Sequence, residues 1–149
     1  RGKKTKTYFY GDYPNSVRNN AKKGLELNKK LDSKCGSIIN QSRAKRLMKG
    51  YPISIHTIKQ MNNNLNKSAE YFDAKKQLSC ENVNFLLWGG LAAKKWSESK
   101  LKKYKNWKKK LIYQVEQVLK VAVGVVYVKI LILIPEDAVM EIFGHRELE

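Results

Sequence analysis

From Ser54 to Phe72 the apolar residues Ile55, Ile58, Met61, Leu65, Ala69 and Phe72 recur every three or four positions. That spacing returns side chains to one face of a helix. Ser54 carries a hydroxyl able to accept from the first free backbone N–H groups, so a helix beginning just after it is expected. A helix with a single apolar stripe must bury that stripe against other elements, and this periodicity commits the chain to a packed helical domain.

The flanking sequence places further helices. Ser16 as a cap predicts a helix to about Leu31, with Val17, Ala21 and Leu25 as its buried stripe and Arg18, Lys22 and Lys29 on the other side. A turn from Asp32 to Gly36 leads to a second helix over Asn40 to Lys49, whose narrow apolar face is Ala44, Leu47 and Met48. Gly50 ends it as a glycine beyond a helix C-terminus does, and Pro52 keeps Tyr51 extended. Asp73 to Ser79 reads as a loop, after which Glu81 or Asn82 opens a helix carrying Phe85, Trp88, Gly89, Ala92, Ala93 and Trp96. Each glycine inside a helix costs about 1 kcal/mol relative to alanine. Gly89 and Gly90 therefore predict a break or close packing, and the small row Gly89, Ala92 and Ala93 favours packing against another helix. Trp107, Leu111, Val115, Val118 and Ala122 continue the helical pattern, as an extension or as a fifth helix from near Asn106.

Val125 to Ile134 is rich in β-branched residues and reads as a strand, which Pro135 ends while opening a short helix with Val139, Ile142 and Phe143. An apolar strand without a neighbour is an aggregation hazard. It is expected to pair with Thr5 to Tyr10, or with the same strand of a second chain in a homo-oligomer. Lys120, Lys129 and the Gly124 break argue against a membrane span, because a central lysine costs about 3 kcal/mol on insertion. The expected fold class is mainly α (α+β): a bundle-like domain of four to five helices with one long hydrophobic strand near the C-terminus. Its parts are a basic arm or strand at 1–12, a helical domain at 13–104, and a helix, strand and acidic helix at 105–149 packed on the same core. At 149 residues the chain suits one domain with a real core.

Charge points to the partner. Thirty Lys and Arg against thirteen Asp and Glu give +17, a self-repulsion tolerated chiefly where a polyanion neutralises it. Nucleic acid is the expected partner, ahead of an anionic membrane. The last fifteen residues hold five acids against Arg146 alone, and read as a solvated terminus or as an end that docks on the basic body. The densest positive feature is Lys94, Lys95, Lys100, Lys102, Lys103, Lys105, Lys108, Lys109 and Lys110, with Glu98 the one acid among them. On a helix these cannot all share one face, so they predict a broad positive surface that binds phosphates by counterion release. Arg43, Lys45, Arg46 and Lys59 join it from the second and third helices. Lysine is a point charge and not a planar reader of base edges, which argues for backbone contact with little sequence preference. Trp96, Tyr104 and Trp107 interleave with the lysines and are read as core residues in preference to base-stacking platforms.

Cys35 to Met61 has the outline of a helix-turn-helix, with Lys59 and Gln60 as candidate base readers. The interval Lys49 to Ile53 is longer than the tight turn of the DNA-reading unit, so scaffold is the preferred reading. Chemistry is thinly supplied. His56 and His145 are isolated, and the sequence has no close pair of metal ligands, no phosphate-cradling loop, no H-E-x-x-H and no G-x-S-x-G. No enzyme activity, cofactor or metal is expected. Cys35 and Cys80 are too few for a disulfide scaffold and fit a cytosolic protein with reduced thiols, one disulfide staying open. The start at Arg1 in place of Met fits processing or truncation, with no secretory signal in view.

Four segments carry a resemblance. They are Tyr13-Pro14-Asn15-Ser16-Val17-Arg18-Asn19-Asn20-Ala21; Cys35-Gly36 with Arg43-Ala44-Lys45-Arg46-Leu47; Pro52-Ile53-Ser54 with Thr57-Ile58-Lys59-Gln60-Met61; and Leu87-Trp88-Gly89-Gly90 with Ala92 and Trp96. In this order and spacing the chain resembles, over Tyr13 to Leu101, a helical domain that recurs in tailed bacteriophage proteins, sometimes alone and sometimes attached to head-morphogenesis or prohead-protease polypeptides. It departs from that pattern at Asn66-Lys67-Ser68, where an Arg-His pair is frequent, and at Cys80-Glu81, where a Cys-Gly pair is. The resemblance implies no catalytic residues. It implies a viral setting, in the virion or the DNA-packaging and head-assembly apparatus within the bacterial host cytoplasm, with phage head proteins as further partners. The alternative function is an assembly module that docks another phage protein through its strand and acidic tail.

Overall fold

The computed structural model describes residues 9–122 other than 33 and 77. Phe9–Ser99 form one compact unit, and the described residues from Lys100 to Ala122 belong to a second. The order of elements is β1 (Phe9–Tyr10), α1 (Asn15–Lys30), α2 (Ile38–Met48), β2 (Ile53–Ser54), α3 (Ile55–Ala69), α4 (Cys80–Leu87) and α5 (Gly90–Ala122). The described chain is mainly helical with one small sheet. The expected strand at Val125 to Ile134, the helix after Pro135 and most of the basic arm lie outside the described residues.

Helix α3 forms as its periodicity requires. The Ser54 hydroxyl accepts from the Thr57 amide at 3.2 Å, and Ile55, Ile58, Met61 and Leu65 are buried. Ala69 is only half-buried, and Phe72 lies beyond the helix at 39% exposure with its ring against Phe85, so the stripe fades toward the C-terminus. Helix α2 begins two residues before the sequence suggested, because Ser37 accepts from the Asn40 amide. Its end is a Schellman motif, in which the Gly50 amide bonds to Leu47 O and the Tyr51 amide to Arg46 O, both at 3.0 Å. Gly50 has φ 81°, which only glycine adopts without strain.

Ser16 is not the cap of α1. Pro14 occupies that position with extended backbone, and no side chain caps the helix. The buried residues are Val17, Ala21, Gly24, Leu27 and Asn28, with Leu25 only half-buried. The stripe turns at Gly24 because α1 meets α4 there. A β-carbon at Gly24 would stand 2.8 Å from Leu87 N and 3.0 Å from Leu86 C.

β1 pairs antiparallel with β2, Phe9 opposite Ser54 and Tyr10 opposite Ile53. The N-terminal strand thus finds a partner in the interval between α2 and α3. Tyr13 reinforces that corner, its hydroxyl donating to Tyr51 O at 2.7 Å and its ring meeting Trp96 edge-on at 5.5 Å.

Helix α4 starts at Cys80, capped by Ser79, and the helical run breaks at Trp88 and Gly89 before α5 opens at Gly90. Gly89 and Gly90 have φ 101° and 68°. Both expectations for the pair hold, since a β-carbon at Gly89 would also stand 2.7 Å from Val17 Cγ1 of α1. Asn20 fixes the junction by donating to Gly89 O at 2.9 Å. Before α4 the loop is organised by buried Asn82, which accepts from the Asp73 amide and donates to the carbonyls of Asp73 and Lys76.

The cysteines correct the expectation of reduced thiols. Cys35 follows α1 and Cys80 begins α4, and the packing of these helices brings their Cα atoms to 5.2 Å in a disulfide. Cys35 lies in a core cluster with Leu27, Ala44, Val83 and Leu87. Its amide donates to the Oδ1 of buried Asn28 at 3.0 Å. The pairing depends on the tertiary meeting of α1 with α4.

Candidate nucleic-acid interface

Helix α5 carries the densest lysines. At about 100° per residue, Lys102, Lys103, Lys105, Lys109 and Lys110 fall within an arc of about 160°, and all five are exposed. Tyr104 and Trp107 project from the other side and are buried at 0% and 6% exposure, their ring centroids 6.0 Å apart. The aromatics therefore belong to the interior and offer no base-stacking surface. Lys100 is 4% exposed and leaves the positive face, while Lys108 is half-buried. The lysine run is thus sorted by helical geometry into one solvated face and one buried member.

In the other unit the candidate cations are held differently. Lys94 is in an ion pair with Glu98 at 2.7 Å, while Lys95 is exposed. Arg43 lies 4.6 Å over the ring of buried Trp88, and partial burial lowers its pKa below the ordinary arginine value. A guanidinium over an indole face gains electrostatically from the ring quadrupole, which gives Arg43 a packing role. Arg46 is exposed and 6.0 Å from the Tyr51 ring. Lys45 is exposed, and Lys59 is half-buried. Arg43 and Arg46 border one groove beside Phe9 and Ile53.

The helix-turn-helix outline dissolves for a structural reason. Residues 49–54 separate α2 from α3 and include the strand β2, so the connection is a paired element and not a tight turn. Gln60 and His56 hydrogen-bond each other at 3.3 Å, and Ile55 at the helix start is buried.

A second positive feature lies between α1 and α2. A groove of about 380 Å³ is bordered by Lys22 and Lys29 of α1 and by Lys45, Lys49 and Gln41 on the α2 side, with Leu25 and Met48 among its walls. Only Lys45 of these stands out in the sequence as a site residue. The missed signal is spacing: Lys22 and Lys29 are seven apart on one helix, and Lys45 and Lys49 four apart across the end of the next, so each pair keeps to one side.

Among the described residues no cluster of three His, Cys, Asp or Glu could hold a metal ion, and no helix is long and apolar enough to cross a membrane. Comparisons with protein-family models, curated proteins and solved structures return no match.

Proposed function

We propose that the chain is a non-enzymatic, nucleic-acid-binding phage protein that contacts the phosphate backbone with low sequence preference. The observation that carries this reading is the α5 face, where Lys102, Lys103, Lys105, Lys109 and Lys110 are exposed together opposite buried aromatics. Cations concentrated on one face of a chain of net charge +17 attract a polyanion and release its counterions on binding. Lysine point charges suit phosphate in place of base edges. The phage setting rests on the resemblance over Tyr13 to Leu101. The virion is the favoured location, since disulfides persist on particles and are rare in a reducing cytosol.

Replacing Lys102, Lys103, Lys105 and Lys109 by Glu tests the reading. Binding to duplex DNA and RNA should be lost while circular dichroism keeps its helical signal; unchanged duplex binding would place the interface elsewhere.

A second reading, an assembly module that docks another phage head protein, has its own observation. The first turn of α2 exposes Ile38 and Ile39 at 86% and 68%, beside a groove of about 450 Å³ that also holds Phe9, Arg43 and Arg46. Exposed branched residues at a helix start are costly unless something covers them.

A further inference from the structure

From the groove between α1 and α2 we infer a binding site for single-stranded nucleic acid, separate from the lysine face of α5. The inference rests on the nucleic-acid reading above and names the strand form that this second site takes.

The geometry is that of a positively charged cleft with apolar walls. Lys22 and Lys29 lie about 10.5 Å apart along α1, two helical turns, and Lys45 and Lys49 stand one turn apart on the opposite border. Among the described residues none of the four is recorded in an ion pair, so their charges are available to a ligand. Glu26 is the one acid in the lining, which leaves the groove with a net positive charge. Like charges brought together across a cleft repel one another, and low-dielectric walls concentrate their field into it. A phosphodiester chain relieves that repulsion.

The walls decide between strand forms. Leu25 and Met48 are half-buried and offer apolar surface to a sugar or base, and Gln41 offers an amide for hydrogen bonding. A cleft of about 380 Å³ has room for a nucleotide or two, whereas a duplex keeps its bases stacked inside and presents no free base to the apolar walls. A positively charged groove that tracks the backbone is one of the two devices by which proteins hold single strands without reading sequence, and here aliphatic walls stand where stacking aromatics would complete it.

The test uses the intact oxidised chain, a fluorescein-labelled oligo-dT of twenty nucleotides and a duplex of the same length, with affinities measured by anisotropy across a salt series. The variant Lys22→Gln/Lys29→Gln/Lys45→Gln/Lys49→Gln is compared with a second variant carrying Gln at Lys102, Lys103, Lys105 and Lys109. The groove variant should weaken oligo-dT binding at least tenfold and flatten its log–log salt slope by about 1.4, two phosphates at about 0.7 each. Its duplex binding should change less than twofold. Groove and parent proteins that bind oligo-dT alike overturn the groove and leave the α5 reading standing. A parent that binds neither probe overturns both. Circular dichroism and retained duplex binding verify that the groove variant is folded.

Discussion

Reduction of the Cys35–Cys80 disulfide is the sharpest perturbation of this fold. The bond joins positions 45 residues apart and ties the end of α1 to the start of α4. In the chain-entropy treatment a cross-link of that separation removes about 13 cal/mol/K from the unfolded ensemble, or about 4 kcal/mol at 25 °C. Domains of this size are stable by about 5–15 kcal/mol, so the bond is a large share of the total. Urea unfolding of the oxidised and phosphine-reduced protein, followed by tryptophan emission, measures the difference. With a slope of about 2 kcal/mol per molar urea, the midpoint should fall by about 2 M on reduction. A shift under about 0.5 M, or two reactive thiols in the denatured but unreduced protein, would refute the reasoning.

Three further substitutions probe the packing. Gly24→Ala forces a β-carbon against the backbone of Leu86 and Leu87 and should destabilise by about 1–3 kcal/mol in the same urea assay. Ser54→Ala removes the acceptor for the Thr57 amide and should cost about 1 kcal/mol. Tyr13→Phe removes the bond to Tyr51 O at 2.7 Å and should cost about 1 kcal/mol at neutral pH. Burial raises the Tyr13 pKa above its ordinary 10.0, a shift that the nearby Arg18 charge opposes. A raised folded pKa means the contribution is complete below the unfolded pKa and is lost as pH climbs through the folded one. Stability of the parent should therefore fall more steeply above about pH 10 than that of Tyr13→Phe, as thermal melts across pH would register.

Much of the fold was legible because it is local. Ser54 and the apolar residues that follow fix α3, and Gly50 with Pro52 fixes the end of α2, since hydroxyl caps and positive φ are properties of single residues. What could not be read was tertiary. β2 is two residues long and exists only because β1 pairs with it. The disulfide needs α1 and α4 to meet, and the glycine that lets them meet, Gly24, lies in a stretch that reads as ordinary amphipathic helix. The candidate interface was half legible. The lysine density of α5 is plain in the sequence, but which members face solvent follows from the burial of Tyr104 and Trp107. The segments behind the phage resemblance prove to be rich in fold-holding contacts: Tyr13 to Tyr51 O, Arg18 Nε to Met48 O at 3.1 Å, Asn20 to Gly89 O and Arg43 over Trp88.

The central claim is that exposed lysines of α5 bind phosphates by charge. The salt dependence of affinity for duplexes of unrelated sequence tests it most directly. Five exposed lysines, each neutralising one phosphate, predict a log–log slope of about −4.5 that is the same for every sequence. A slope near zero, or no binding at low salt, would contradict the account.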